Sequence, residues 1–213
     1  MSAAPAVTFW FEFASTYSYP AAHRVGALAA AAGLTLVWRP FLLGPVFAAQ
    51  GMTDSPFNVY PVKGAYMWRD LERICDAQGL PLTRPAAFPR NGLRAARIAT
   101  AALAAGAAWA PDFVRAVYRA NFAEDREIAD PAVLAQILTG LGVDAADWQA
   151  RAETPETKAA LRAATEEAQA LGLFGAPSFT IAGLDGAVEL FWGNDRLEQA
   201  LAWAQQMPTA RPA

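Results

Sequence analysis

The feature that most constrains the fold is an apolar, aromatic segment at residues 7–13 that runs directly into a pair of serines. It is rich in β-branched and aromatic residues, as expected of a buried strand. Residues 19–32 then read as an alanine-rich helix that ends at Gly33, a favourable residue just after a helix. The strand therefore brings Ser15 and Ser18 to the point where a helix begins.

The segments that follow have strand-like and helix-like patterns in a definite order. Residues 34–39 read as a second strand, so the chain opens with a β-α-β unit whose strands are parallel. A loop studded with glycine and proline is predicted at residues 41–61. Helices are predicted at residues 63–78, 92–107, 112–122, 131–141, 145–152 and 155–171.

Strand character returns near the end of the chain, at residues 178–181 and 188–191, with a hairpin turn predicted at residues 183–186. A last helix is predicted at residues 195–206. The order β-α-β, helices, β-β-α indicates an α/β protein with a thioredoxin-like fold and an all-helical insertion.

The same order of segments predicts a division into two domains. Residues 1–62 and 166–213 are expected to form the thioredoxin-like domain, and residues 63–165 the inserted helical domain.

The turn after the first strand carries no sulfur. In a thioredoxin-like fold this turn normally holds Cys-x-x-Cys, whereas here it reads Ser15-Thr16-Tyr17-Ser18. A hydroxyl cannot exchange disulfides, but it can donate a hydrogen bond to a thiolate of another molecule at a helix start that favours anions. The turn predicts a protein that uses the sulfur of glutathione, and the alternative is that Ser15 only caps the helix.

Ala176 and Pro177, just before the strand at 178–181, form a second candidate element. In the predicted fold, a cis proline at this point exposes the backbone N–H and C=O of the preceding residue beside the helix start. A peptide that contains cysteine can then pair with Ala176 as an added strand.

Asn194 and Asp195 precede the last predicted helix and allow two interpretations. Asp195 and Glu198 have the spacing of a helix capping box. Alternatively, Asp195 binds an ammonium group while Asn194 and helix N–H groups take a carboxylate, the two charges of a γ-glutamyl group.

Charge and residue counts exclude several other classes of function. The net charge of −3, with scattered lysines and arginines, argues against a nucleic-acid partner. The single cysteine, Cys75, permits no internal disulfide, fits a reducing compartment and falls on the apolar side of a predicted helix. His23 is the only histidine, so neither a catalytic triad nor a metal site is predicted around it. No segment reads as a membrane span or signal peptide, so a cytoplasmic protein is expected.

Six sequence blocks, in order, give the chain a resemblance to a known family. They are residues 9–19 (FWFEFASTYSY), 42–47 (LLGPVF), 63–70 (KGAYMWRD), 88–91 (FPRN), 175–179 (GAPSF) and 191–197 (FWGNDRL). With them the chain resembles the 2-hydroxychromene-2-carboxylate isomerases. These group with the kappa-class glutathione transferases and the disulfide-oxidase branch of the thioredoxin-like proteins.

The resemblance implies a role for particular residues. The family serine that holds the glutathione sulfur corresponds to Ser15, and the residue that pairs with the cysteinyl backbone corresponds to Ala176. The family turn usually reads Ser-Pro-Tyr-Ser, and Thr16 stands here in place of the proline. The residues expected to bind glutathione are Ser15, Thr16, Tyr17, Thr53 (or its neighbour Asp54), Ala176, Pro177, Asn194 and Asp195. Lys63 and Asn91 are expected to bind the substrate.

The resemblance also implies an activity. Glutathione thiolate would add to an unsaturated aromatic 2-oxo acid in aromatic catabolism, the former double bond would rotate, and elimination would return the thiol. Two alternatives stay open: a kappa-class-like transferase that releases a conjugate, and a non-catalytic module that binds glutathione or peptides. The resemblance further implies a homodimer with no nucleic-acid or membrane partner.

Overall fold

A four-stranded mixed sheet forms the centre of the molecule in the computed structural model, which describes residues 5–183 and 186–207. Its strands are β1 (Ala6–Phe11), β2 (Thr35–Pro40), β3 (Ser178–Ala182) and β4 (Val188–Trp192). They lie in the order β2-β1-β3-β4. The pair β1 and β2 is parallel, whereas β3 runs antiparallel to both β1 and β4.

The helices occupy the crossover between β1 and β2, most of the chain between β2 and β3, and the end of the chain. They are α1 (Ser18–Ala31), α2 (Leu43–Ala49), α3 (Pro56–Val59), α4 (Pro61–Gln78), α5 (Leu93–Ala104), α6 (Ala110–Phe122), α7 (Pro131–Gly140), α8 (Ala145–Ala152), α9 (Pro155–Ala170) and α10 (Leu197–Gln206). None of the described helices is long and apolar enough to cross a membrane.

Aromatic side chains on β1 join the sheet to the helices that cover it. Phe9 lies opposite Phe179 of β3, and their rings stack at 5.5 Å between centroids. Phe11 contacts Tyr118 of α6 edge-on, at 6.5 Å between ring centroids. One cluster of buried side chains therefore contains residues of both the sheet and the long helical segment. The predicted order of strands and helices is confirmed, whereas the domain boundaries at residues 62/63 and 165/166 stay a prediction.

The first strand ends earlier than predicted, at Phe11 and not at residue 13. Past Phe11 the backbone finds partners on α6 and no longer on a neighbouring strand. The Tyr118 hydroxyl donates to the carbonyl of Glu12 at 2.8 Å, and the Asn121 amide donates to the carbonyl of Phe13 at 3.0 Å. Side chains of α6 thus fix the turn that leads to Ser15.

The prediction of a loop throughout residues 41–61 is wrong, because α2 and α3 lie within it. Pro45 falls in the first turn of α2 and Pro56 at the start of α3, positions where the missing N–H of proline costs no helical bond. Ser55 caps α3 by accepting a hydrogen bond from the N–H of Phe57 at 3.3 Å. The prolines that suggested a loop therefore start helices.

The last helix also differs from its prediction. A 3-10 turn covers Asn194–Arg196, α10 begins only at Leu197, and no side chain caps either element. The capping-box interpretation of Asp195 and Glu198 is therefore wrong. The predicted hairpin turn at residues 183–186 lies partly outside the described residues, which omit 184 and 185.

Candidate active site

Ser15 lies in the turn between β1 and α1, three residues before the helix begins, and is 9 % exposed. Its hydroxyl donates to the backbone carbonyl of Ala176 at 2.8 Å and accepts from the N–H of Ser18 at 3.3 Å. Ser15 thus accepts the N–H of the first residue of α1, although Tyr17 occupies the N-cap position and no side chain caps the helix there. It also connects that helix start to the residue before Pro177.

Ala176 presents part of its backbone toward Ser15. The Ala176–Pro177 bond is cis, as predicted, and Ala176 is 8 % exposed. Its carbonyl accepts from Ser15, and among the described residues its N–H makes no hydrogen bond. A carbonyl oxygen has two lone pairs, so both backbone groups of Ala176 can still pair with a peptide.

An open cleft of about 470 Å³ extends from Ser15 and Ala176 between the sheet end and the helical segment. Seven residues proposed from the sequence line it: Ser15, Thr16, Tyr17, Thr53, Lys63, Asn91 and Ala176. Pro177, Asn194 and Asp195 are not among its lining residues. The structure thus brings most of the candidate residues together and leaves three outside the cleft.

The hydroxyl of Thr16 is buried and has no hydrogen-bond partner among the described residues. Buried hydroxyls nearly always have a partner. Thr16 lines the cleft beside Ser15, but its hydroxyl is buried in the turn and not exposed to the cleft.

Asn194 is occupied by a partner from α1. It is 5 % exposed, and Arg24 donates to its side-chain oxygen at 3.3 Å and to its backbone carbonyl at 2.6 Å. Arg24 also forms an ion pair with Glu198. Asn194 is therefore held in the wall of the molecule, not presented to the cleft.

Asp195, by contrast, has a side chain that is 72 % exposed and lies 3.3 Å from Arg196. Its charge acts on Tyr17, whose hydroxyl donates to Asp70 Oδ2 at 3.0 Å. Burial, the hydrogen bond to Asp70 and the charge of Asp195 all raise the pKa of Tyr17 above its ordinary value. Asp70 was not proposed as a site residue from the sequence; it and Asp195 both act on Tyr17, although neither lines the cleft.

Thr53, Lys63 and Asn91 are three further candidate residues that line the cleft. Asp54 accepts from the Ser55 N–H at 2.6 Å and from the Asn58 amide at 3.1 Å, so its carboxylate serves the turn before α3. Thr53 and Asp54 are both exposed and both line the cleft. Because the Asp54 carboxylate already has two partners, Thr53 remains the proposed contact for a ligand.

Lys63, exposed in the first turn of α4, has its Nζ 5.8 Å from the centre of the Phe57 ring. Asn91 uses its side-chain oxygen to accept from the N–H of Leu93 at 2.9 Å, which leaves its amide NH₂ available. Lys63 therefore offers a charge, and Asn91 a hydrogen-bond donor, to the same cleft.

A buried carboxyl group in the cleft wall was missed by sequence reasoning. Glu12 is 8 % exposed, and its Oε2 accepts from the N–H of Ala14 at 2.8 Å. Burial raises its pKa from 4.5 to about 7, although hydrogen bonds from the Ala14 and Ser15 backbones act in the opposite direction. In the sequence Glu12 is the one charged residue of the apolar segment 7–13, and nothing local indicates that it is buried.

Cys75 and His23 take no part in this cleft. Cys75 is fully buried on α4, and burial raises the pKa of its thiol to about 11. His23 is half-buried on α1, where burial and the charges of Arg115 and Arg119 lower its pKa to about 4. Among the described residues, no three His, Cys, Asp or Glu side chains form a group that could hold a metal ion.

The chain is similar to proteins of known family. The family model for the DSBA-like thioredoxin domain matches residues 6–202. The chain is 30 % identical to a 2-hydroxychromene-2-carboxylate isomerase of Pseudomonas putida over 90 % of each chain. It is 27 % identical to human glutathione S-transferase kappa 1, over 78 % of this chain and 75 % of that one.

The fold is also similar to a solved structure. The structure of a 2-hydroxychromene-2-carboxylate isomerase superposes with a TM-score of 0.79 at 29 % identity, over 93 % of both chains.

Proposed function

Because the chain belongs to the DSBA-like thioredoxin domain family and is an isomerase, we propose that it uses glutathione as a cofactor to isomerise an unsaturated aromatic 2-oxo acid. The proposed substrate is 2-hydroxychromene-2-carboxylate or a related acid. The observation that carries the proposal is the hydrogen bond that the Ser15 hydroxyl donates to the Ala176 carbonyl. Both residues line a cleft whose lining contains no cysteine.

The residues of the cleft fit a bound cysteinyl peptide. The unpaired N–H of Ala176 would donate to the cysteinyl carbonyl, and the Ala176 carbonyl would accept the cysteinyl N–H. With the Ala176 carbonyl satisfied by the cysteinyl N–H, the Ser15 hydroxyl can rotate away from that carbonyl and donate its hydrogen bond to the sulfur instead.

The two carboxylates that act on Tyr17 suit the amino group of a γ-glutamyl residue. The side chain of Asp195 is exposed, and Asp70 accepts a hydrogen bond from the Tyr17 hydroxyl. We propose that an ammonium group bound near Tyr17 would interact with both carboxylates. We propose that Asn194 acts indirectly, by fixing with Arg24 the turn that carries Asp195. Pro177 would act through the backbone of Ala176 alone.

Other residues of the cleft suit an aromatic acid. Lys63 would attract the substrate carboxylate, and the amide of Asn91 would donate a hydrogen bond to a substrate oxygen. The aromatic rings that line the cleft belong to Tyr17, Phe47, Phe57, Phe88, Phe174 and Trp192. They provide apolar walls for a flat ring.

When bound, glutathione would supply a thiolate that adds to a double-bonded carbon, so that the resulting single bond can rotate before elimination regenerates the double bond and the thiol. The protein's part is to keep that sulfur ionised, through the Ser15 hydroxyl and the positive end of α1. Lys63 and Asn91 hold the substrate while its bond rotates.

Measuring turnover and free thiol together tests this proposal. An isomerase requires glutathione for turnover and leaves the amount of free thiol constant. A transferase, which the likeness to glutathione S-transferase kappa 1 keeps as a second candidate, consumes one thiol for each product. Turnover that is equally fast without glutathione, or binding of glutathione without turnover, contradicts the proposal.

Two further proposals concern the protein in the cell. We propose that it works in the cytoplasm, where its one cysteine stays reduced. We also propose a homodimer, for which exposed apolar side chains on α3, on α4 and at the residue between them offer a surface. These side chains are Val59, Tyr60, Val62 and Tyr66.

A further inference from the structure

Glu12 is a buried acid in the wall of the cleft that the chemistry above does not use. It directly follows β1, and two hydrogen bonds hold its backbone carbonyl, from the Ser15 N–H at 3.0 Å and from the Tyr118 hydroxyl at 2.8 Å. The carboxyl group is held as well, because the N–H of Ala14 donates to Oε2 at 2.8 Å. Glu12 is thus fixed at both its backbone and its side chain.

This carboxyl group lies in the same tight turn as the Ser15 hydroxyl. Only two residues separate them, the backbone of Ser15 is bonded to Glu12, and both residues line the cleft. A β-carbon placed on Gly92 would approach Oε1 to 3.3 Å and Phe13 Cβ to 2.8 Å. Gly92 therefore leaves the room that this side chain occupies.

No cation compensates the charge of Glu12 among the described residues. Arg90 lines the cleft, but its guanidinium pairs with Asp125 and donates to the carbonyl of Asn121. Lys63, in another part of the wall, lies against Phe57. The titratable group that faces Glu12 from α6 is Tyr118, which stays protonated because burial and the charge of Glu12 raise its pKa.

Burial without a cation makes Glu12 a group that exchanges protons near neutral pH, since its pKa is raised to about 7. A group with such a pKa is effective as an acid and a base at physiological pH. An ordinary surface glutamate would stay ionised there and could not hold a proton.

We propose that Glu12 is the proton acceptor for the thiol that binds at Ser15, and that it returns this proton when the thiol is released. The S–H bond breaks, its electron pair stays on sulfur, and the proton forms an O–H bond on the Glu12 carboxylate. On elimination from the substrate the proton goes back to sulfur, so no proton is lost over a cycle. This inference rests on the proposed function, because it requires glutathione at Ser15.

The opposing interpretation is structural: Glu12 only accepts the N–H of Ala14 to shape the turn. The variant Glu12→Gln separates the two roles, because a glutamine oxygen can accept the same hydrogen bond but cannot take up a proton. Glu12→Asp retains an acid with a shorter side chain and serves as the conservative variant.

The test compares, at pH about 8, the thiolate formed on glutathione binding with the protons released to the solution. Thiolate is measured by ultraviolet absorbance and protons by an indicator dye in weak buffer. The protons released by S-methylglutathione, which has the same charged groups but no thiol, are subtracted. For the wild-type protein we expect thiolate with almost no proton release, because Glu12 takes the proton.

For Glu12→Gln we expect each thiolate formed to release one proton to the solution, or the thiolate signal to disappear and to return in Glu12→Asp. Equal ratios of protons to thiolate in the wild type and in Glu12→Gln would overturn the role of Glu12, with the proposed function intact. If glutathione does not bind at all, or binds to the wild type only as the thiol, the proposed function itself fails.

Discussion

At the scale of single residues, the site depends on which hydrogen bond the Ser15 hydroxyl makes. In the structure the Ser15 hydroxyl donates to the carbonyl of Ala176, with 2.8 Å between the two oxygen atoms. A peptide N–H that occupies that carbonyl would allow the hydroxyl to turn toward a sulfur. Ser15 would then stabilise a thiolate only when the peptide backbone is also in place.

Replacing Ser15 tests this role. We expect Ser15→Ala to lower kcat/KM for glutathione-dependent isomerisation by about ten- to a hundredfold, because a hydrogen bond to a charged acceptor contributes roughly 1.5–3 kcal/mol. The measurement is steady-state turnover at saturating and limiting glutathione.

Ser178→Ala is the matched control, since it removes another buried serine hydroxyl, which donates to the Gly175 carbonyl at 2.9 Å. We expect it to lower stability by about 1 kcal/mol and to leave kcat/KM nearly unchanged. If the Ser15→Ala variant folds and catalyses glutathione-dependent isomerisation at the wild-type rate, the proposed role of Ser15 is refuted.

The raised pKa of Glu12 predicts a pH-dependent stability. The folded protein holds a proton on Glu12 up to about pH 7, whereas the unfolded chain loses it near pH 4.5. The contribution of Glu12 to the free energy of unfolding therefore decreases as the pH rises from 4.5 to 7. The whole effect is about 3 kcal/mol, since one pKa unit corresponds to about 1.4 kcal/mol. We expect Glu12→Gln to gain stability over the wild type at pH 8 by up to this amount, and to gain little at pH 4.

Urea unfolding at both pH values measures this difference. A difference between the two proteins that is the same at pH 4 and pH 8 would show that Glu12 titrates normally.

Sequence patterns can indicate the role of a single residue when that role depends on its neighbours in the chain. Ser15, Thr16 and Ala176 follow from the turn after a strand and from a proline before one, so they could be proposed from the sequence. The contact of Asn194 with Arg24 could not be predicted, because the two residues are 170 positions apart. Glu12 was missed because its burial depends on residues of α6 and on Gly92.

At the scale of elements, the structure adds two helices that form one wall of the cleft. The sequence predicts the strands and long helices well because their apolar periodicity extends over many residues. It does not predict α2 and α3, because a short helix that begins with proline has the composition of a loop. Residues of α2, of α3 and of the turn between them line the cleft, so the loop prediction would have left that wall undefined.

The packing of α3 against α4 gives a prediction for this wall. A β-carbon on Gly64 would lie 2.2 Å from the backbone carbonyl of Phe57, so Gly64→Ala must push α3 away. We expect a loss of about 1–3 kcal/mol in stability and a several-fold higher KM for the aromatic substrate. Thermal unfolding and steady-state kinetics measure the two effects.

Gly26→Ala on α1 is the control, since no atom beyond its chain neighbours and the adjacent helix backbone lies within 4 Å of the added carbon. Alanine is favoured over glycine inside a helix, so we expect this variant to gain up to about 1 kcal/mol and to keep its KM. If Gly64→Ala behaves like Gly26→Ala, then the contact between α3 and α4 does not set the shape of the cleft.

At the scale of the whole molecule, a thioredoxin-like sheet and a helical segment enclose a cleft without a cysteine in its lining. The α/β class and the helical insertion could be predicted, because they follow from the order of segments alone. The interactions of Asp70 and Asp195 with Tyr17 could not be predicted, because the three residues are far apart in the sequence and only folding brings them together.

The most direct test of the account is a crystal structure of the protein with glutathione. We predict that the cysteinyl sulfur lies within hydrogen-bonding distance of Ser15 Oγ and that the cysteinyl backbone pairs with Ala176. A sulfur atom bound elsewhere in the cleft, with the Ser15 hydroxyl still on the Ala176 carbonyl, would contradict it.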